Sequence, residues 1–442
     1  MDYKLITERC HLYCPNDQVC FAAVLDAPVD LTALRAAVGS AMRLHPVLRG
    51  CVRMDGGRAY LHIGDGGGPE VSEAPDTDWR QAVLRAQETP FELGKAPLYR
   101  VALLKDAVEG SVLLLSIHHI LADGLSGIKL LRDILSFIQN PAADDTPVID
   151  PLLEDRTLYP GEGLSLPVRL LVSRWNRAWR RSPHVFTGED YRRLLETYGQ
   201  RVGHGILDTA LDQTQTQRLT ALCREHGVTV NSLLITTLFK AVREVAQTEK
   251  GNKIGLAAGL HPDDHCIGNF ASGISVDYAY NNRRSLWENA REVHRRIQKK
   301  LKNDRRKTFF LTFIKALEPG LVDGMYFAQF GLCENKAART LGKLLGYTEP
   351  PAGCGITNLA RAEFPPALGI KRLYFTPPLA PNLDRIAGAV SAGVSAAAGG
   401  TATSDGTATS GGVLTLVWQY DTRSKDASER IFRRWTAALA AI

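Results

Sequence analysis

The chain has 442 residues, is 45% hydrophobic and 23% charged, and carries a formal net charge of +6. That apolar mass excludes a globally disordered chain, and at roughly 100–200 residues per domain the length suits two or three domains or two large lobes. The mild positive charge attracts anionic partners but falls well short of the footprint of a nucleic-acid binder.

The opening "MDYKLITERC" contains acidic residues and no apolar centre, so it does not read as a secretory signal. No run of about 18 apolar residues marks a membrane span. The eight cysteines include no C-x-x-C pair and read as reduced thiols in a cytoplasmic protein.

In chain order, "QVCFAAVLD" predicts a strand. "VDLTALRAAVGSAMRLH" predicts a helix, with Leu31, Leu34, Val38 and Met42 at helical spacing and Asp30 as N-cap. "CVRMD" and "AYLHI" predict short strands, and "DWRQAVLRAQETPF" a second helix. "LYRVALLKD" and "SVLLLSIHH" predict strands bounded by turn residues, and "GIKLLRDILSFI" a third amphipathic helix. Helices and strands mix without a strict βαβ rhythm, so the class is α+β.

Between residues 151 and 204 the pattern weakens into a crossover between an N-terminal lobe (1–150) and a C-terminal lobe (205–442). Inside it, "VRLLVSRWNRAWRR" places Val168, Leu171, Trp175 and Trp179 on one helical face, surrounded by Arg169, Arg174, Arg177, Arg180 and Arg181. Such a helix lies either on an anionic membrane surface or across the protein's own core with its arginines in water.

The C-terminal part opens with the strand "GHGILDTALD". The helix "QTQRLTALCREHG", closed by a Gly C-cap, and the helix "VTVNSLLITTLFKAVREV" follow. "KIGLAAGL" and "ASGISVDYAY" predict strands. "VHRRIQKKLKNDRRK" is a basic run: a solvated helix face, or a docking patch for a phosphate-bearing cofactor or an acidic carrier protein. "AAGGTATSDGTATSGG" is too poor in apolar mass to pack, which predicts a flexible loop near 387–412 ahead of the alternating strand "VLTLVWQYD". No G-x-G-x-x-G, Walker A or G-x-S-x-G pattern is present.

The segment that carries chemistry is "SIHHILADGLSG", Ser116 to Gly127. Successive side chains on a strand point to opposite faces, so His118 and His119 cannot both face the same space. Asp123 follows His119 across a turn, and Gly124 relaxes the backbone. A neutral imidazole is a natural general base near pH 7, able to take a proton from a hydroxyl or amine attacking an activated carbonyl. "HPDDH" brings His261, Asp263, Asp264 and His265 together, but Pro262 and the tight spacing favour a turn over an ion site, and no metal is expected.

"HHILADG" resembles the HHxxxDG signature of the chloramphenicol acetyltransferase-like superfamily. That group includes nonribosomal peptide condensation domains, alcohol acetyltransferases and polyketide-associated acyltransferases. The resemblance covers nearly the whole chain, through "RLHPVLRG", "FELGKAPLYRVALL", "GVTVNSLLITTLFKA", "IGNFASG" and "GITNLARAEFP" in the family's order. It implies two α+β lobes, mixed sheets with flanking helices, and a tunnel between them.

It further implies that His119 is the general base, that His118 is buried and structural, and that Asp123 is a structural aspartate paired with an arginine. Gly124 would let a substrate approach its backbone. Thr357, Asn358 and Asn269 are tunnel candidates. Many relatives carry Arg-Pro where this chain has His261-Pro262, so Arg43 and Arg49 are the candidate partners of Asp123.

The implied activity is acyl transfer from acyl-CoA or an acyl carrier protein's phosphopantetheine to an alcohol or amine acceptor, the alcohol favoured. No bound cofactor is expected. A non-catalytic interaction protein of the same fold and a stand-alone amide-forming condensation enzyme are the alternatives. A monomer is expected, with a small-molecule or lipid acceptor, a carrier protein as potential partner, and a potential peripheral membrane contact.

Overall fold

A computed structural model describes residues 2–64, 67–68, 70–107, 110–148, 163–247, 252–261, 266–365, 369–394 and 412–442. The first stretch contains β1 (Asp2–Lys4), a 3-10 turn (Glu8–His11), β2 (Gln18–Leu25), α1 (Leu31–Leu44), a second 3-10 turn (Pro46–Arg49), β3 (Gly50–Asp55) and β4 (Arg58–Ile63). Next come β5 (Val71–Glu73), α2 (Trp79–Glu88), β6 (Tyr99–Ala107), β7 (Gly110–His118) and α3 (Gly124–Gln139). Two helices, α4 (Leu166–Arg181) and α5 (Gly188–Arg201), lead to β8 (His204–Leu211), α6 (Gln213–Glu225), α7 (Val230–Ala246), β9 (Asn252–Gly259) and β10 (Ala271–Tyr278). Five helices follow: α8 (Leu286–Leu301), α9 (Asp304–Lys307), α10 (Phe309–Ala316), α11 (Pro319–Gln329) and α12 (Lys336–Leu344). The chain closes with β11 (Gly353–Phe364), β12 (Ile370–Thr376), β13 (Leu383–Val394), β14 (Val413–Asp421) and α13 (Lys425–Ala440).

The strands form three sheets, ordered β12-β2-β7-β6-β5, β10-β9-β11-β13-β14-β8 and β1-β4-β3. The two larger sheets are mixed: β5 runs parallel to β6, and β11 runs parallel to both β9 and β13. Every residue of β2 is buried, because this central strand is covered on both faces. Phe21, Ala23 and Leu25 join the core under α1 and α3, while Cys20, Ala22 and Val24 join a second cluster with Trp79, Tyr374 and Val417. β7 splits the same way, with Leu113, Leu115 and Ile117 on one side and Val112 and Leu114 on the other. The unbroken apolar run thus obeys the two-residue period of a strand with two dry faces.

The second cluster is where the two large sheets meet. The Thr415 hydroxyl on β14 donates to the Leu373 carbonyl on β12. At Gly388 of β13 a Cβ would lie 2.1 Å from the Phe375 carbonyl oxygen, so only glycine permits this approach.

The layers do not follow the division into 1–150, 151–204 and 205–442. β12 comes from the last third of the chain, yet it is an edge strand of the first large sheet. Phe313, Tyr326 and Phe327, on α10 and α11, share one core with β2 and β7. The 151–204 segment supplies α4 and α5, whose Trp175, Trp179 and Leu194 are buried in that same core rather than forming a bare linker. Of the loop expected near 387–412, residues 387–394 belong to β13, and 395–411 lie outside the described residues.

α4 settles on its own protein. Val172, Trp175 and Trp179 are buried, with Trp179 against Gly320 and Gly324 of α11, while Leu166, Leu170 and Leu171 are exposed. The tryptophans offered to a membrane in the sequence reading are therefore the inward-facing residues. No helix among the described residues is long and apolar enough to cross a membrane. Part of the basic run is also used internally: Arg296 and Lys300 of α8 donate to the Asp277 and Ser275 carbonyls of β10.

Gly388→Ala is expected to destabilise the chain by about 1–3 kcal/mol, because the obstructing atom is backbone that must move. Urea unfolding monitored by tryptophan fluorescence measures it.

Candidate functional site

The site is set by the β2–β7 register. Gln18 stands opposite His118, which puts Asp17 beside His119 where both strands run out. The His119 N–H donates to the Asp17 carbonyl at 2.9 Å. His118, the last residue of β7, turns into the core and is 3% exposed. Its Nδ1 accepts from the Ile120 N–H at 3.2 Å, and its ring meets the Phe91 ring edge-on at 6.0 Å. Burial pushes its pKa down to about 4, so this ring is neutral at pH 7.

His119, one residue on, is half-buried. The Asn269 side-chain amide donates to the His119 carbonyl at 2.7 Å and lies 3.0 Å from its Nδ1. Nε2 makes no hydrogen bond among the described residues, and in the tautomer with the proton on Nδ1 it carries the free lone pair. Burial, and then the charge of His11, lower the His119 pKa below its ordinary value, so the ring is a base and not an acid at neutral pH.

Asp123 caps α3, its carboxylate accepting from the Ser126 N–H at 3.0 Å. The same carboxylate accepts from the Phe270 N–H at 3.0 Å and bonds His261 Nε2 at 2.9 and 3.0 Å. Around it, the Asp123 N–H and the Ser126 hydroxyl both donate to the Gly268 carbonyl, at 3.1 and 2.8 Å. The "GNF" loop is thereby fastened to the turn that follows His119. Burial raises the pKa of Asp123, but His261 and the backbone donors outweigh it, and the net direction is downward.

The partner of Asp123 is thus His261, not Arg43 or Arg49. The residue standing where the resemblance implied an arginine makes the pair itself. Arg43 is exposed and reaches Asp145 at 2.6 Å and the Ser40 hydroxyl at 2.9 Å. Arg49 ends the second 3-10 turn.

At Gly124 a Cβ would meet the Leu359 side chain at 2.7 Å and Phe375 at 3.3 Å, so its bareness serves the packing of α3 on β11 and β12. Thr357 and Asn358 are half-buried on β11. Asn358 accepts from the Ala360 N–H at 2.8 Å, supporting a bulge at which Ala360 takes a φ of +57°. Among the described residues neither hydrogen-bonds His119, whereas Asn269 does. Of the "HPDDH" ion-site reading, Pro262 to His265 lie outside the described residues.

Two residues of the site were missed from sequence. His11 stacks on His119 with ring centroids 4.4 Å apart at 27°, and its Nδ1 lies 2.7 Å from the Asp17 carboxylate. No motif surrounds either residue. The one usable signal is that Asp17 sits immediately before β2, and that becomes informative only once the pairing of β2 with β7 is known.

With this geometry in place, comparison with known proteins defines the class. Residues 16–151 match the family model described as a condensation domain. The probable non-canonical nonribosomal peptide synthetase CymA of Salinispora arenicola is 27% identical over 254 residues, which are 53% of this chain and 3% of that protein. The chain spans 1% to 11% of the length of such curated relatives. Among solved structures, the first condensation domain of the calcium-dependent antibiotic synthetase aligns at TM-score 0.62 and 13% identity, covering 100% of this chain and 97% of that one. The epimerization domain from the third module of tyrocidine synthetase B aligns at TM-score 0.58 and 16% identity, covering 97% and 91%. The fold is shared with these condensation and epimerization domains, and the likeness in sequence to a condensation domain covers residues 16–151.

His261→Leu is expected to cost about 1–3 kcal/mol by leaving a buried carboxylate short of a donor, whereas His261→Arg is expected to stay near wild type. Thermal unfolding of the two variants separates these outcomes.

Proposed function

We propose that the chain is an acyltransferase of the condensation type, moving an acyl group from a thioester donor to an amine or hydroxyl acceptor. The observation that carries this reading is the His119 ring: half-buried, its Nε2 without a hydrogen bond among the described residues, its pKa held down and its backbone pinned by Asp17 and Asn269. The donor is acyl-CoA or an acylated phosphopantetheine on a carrier protein. Support for a carrier-borne donor comes from relatives that are peptide synthetases. Support for a CoA-borne donor comes from a starter condensation domain, solved with C8-CoA, of the same fold. Those synthetase relatives also tilt the acceptor toward an amine, against the alcohol favoured from sequence alone.

The chemistry balances without a metal or a covalent enzyme intermediate. His119 Nε2 takes the N–H or O–H proton as the acceptor's lone pair attacks the thioester carbonyl. The carbonyl π pair moves to oxygen, then returns as the carbon–sulfur bond breaks. The thiolate leaves and takes the proton back from the imidazolium. The tunnel that would bring the two substrates to the ring from opposite sides belongs to this proposal.

His119→Ala is expected to remain folded and to lose about 10²–10⁴-fold in transfer rate. Mass spectrometry of products from a mixed acyl-CoA pool and from acylated carrier protein, each offered amine and alcohol acceptors, tests it. Equal product from wild type and variant would sink the base assignment, and no product from any donor would favour a ligand-binding role.

A further inference from the structure

The 3-10 turn carrying His11 is fixed from behind. Arg9 and Asp323, both almost fully buried, form a two-point ion pair between this turn and α11, with Nε 2.8 Å from Oδ1. The Tyr326 hydroxyl of α11 donates to the Cys10 carbonyl. The turn that carries His11 therefore cannot move as a body without breaking a buried ion pair.

Asp17 then joins the two histidines through different atoms. Its carbonyl accepts the His119 N–H, and its carboxylate, 3% exposed, meets His11 Nδ1 at 2.7 Å. Two imidazoles stacked at 4.4 Å cannot both carry a proton cheaply, so their titrations are coupled. Asp17 breaks the tie, because its carboxylate bonds one ring and not the other.

The remaining charged neighbours do not reverse this. Burial lowers the His11 pKa, but Cys10 on its own turn and then the Asp17 carboxylate outweigh it, and the net direction is well upward. His119 is faced by His11, by Asp17 ahead of β2 and by Asp123 ahead of α3. The Asp123 carboxylate is already engaged by His261 and two backbone N–H groups. His118 on β7 is neutral. The net direction at His119 is downward.

We propose that His11 and Asp17 are positioning residues for His119: the Asp17-bound His11 ring holds a fixed positive charge against the His119 ring and so keeps that ring unprotonated at neutral pH. This rests on the reading of His119 as base, and it adds a charge-setting pair outside the HHxxxDG segment.

The test is an imidazole titration by NMR on the full chain, with His119→Gln assigning the resonance. In His11→Gln the His119 midpoint is expected to rise by about one pH unit or more, as loss of a unit charge at this distance requires. His11→Lys keeps the charge and is expected to hold the midpoint near wild type. His11→Phe keeps the stack without the charge and substitutes for His11→Gln should that variant not fold. An unmoved midpoint in the uncharged variants, or the same rise in His11→Lys, overturns the proposal. The acid limb of acyl transfer, measured with a chelator present, is expected to move with the midpoint. A shifted midpoint in a chain that transfers no acyl group would remove the acyltransferase reading and leave the charge-setting pair standing.

Discussion

The carboxylate of Asp123 is the constraint on which the site depends. It is 3% exposed, and a buried carboxylate must be satisfied by donors or it will not stay ionised. This one takes its donors from three places: its own helix at Ser126, the "GNF" loop at Phe270, and His261 at the end of the strand before that loop. His261 and Phe270 lie 138 and 147 residues from Asp123 in sequence, so the demand of a single anion joins the two parts of the chain. Asn269 lies between the tethered residues of that loop, and from there it reaches His119.

The same logic explains how a histidine serves where the sequence resemblance implied an arginine. An arginine supplies a permanent charge and several donors; histidine supplies a shorter ring with one nitrogen free to reach the carboxylate. Here Nε2 of His261 sits nearly equidistant from both carboxylate oxygens, and the ring lies 4.5 Å from that of Phe270. Aromatic packing locates the ring, and the backbone donors of Ser126 and Phe270 share the work of neutralising the anion. The network therefore tolerates a smaller donor without recruiting a distant arginine.

Around the base, neighbouring histidines are distinguished by environment alone. His118 is neutral because it is buried, and His119 because burial and a neighbouring charge act together. The pKa of His11 lies well above its ordinary value because Cys10 and the Asp17 carboxylate that bonds it outweigh burial. One residue type thus appears in three electrostatic roles within one site. The division follows from which ring touches Asp17 and which is shut away from water.

Much was legible in the residues themselves. The apolar runs of β2 and β7 read as strands, the cap at Asp30 begins a helix, and the alternation at a strand end separates His118 from His119. These are local rules, carried by the spacing of a few neighbouring residues. What only the tertiary structure decided is long-range: that β12 joins the first sheet, that Trp175 and Trp179 face inward, that His261 answers Asp123, and that His11 and Asp17 stand against His119. Strand register and the pairing of buried charges depend on which distant segments exclude water from each other, and no spacing along a single chain encodes that choice.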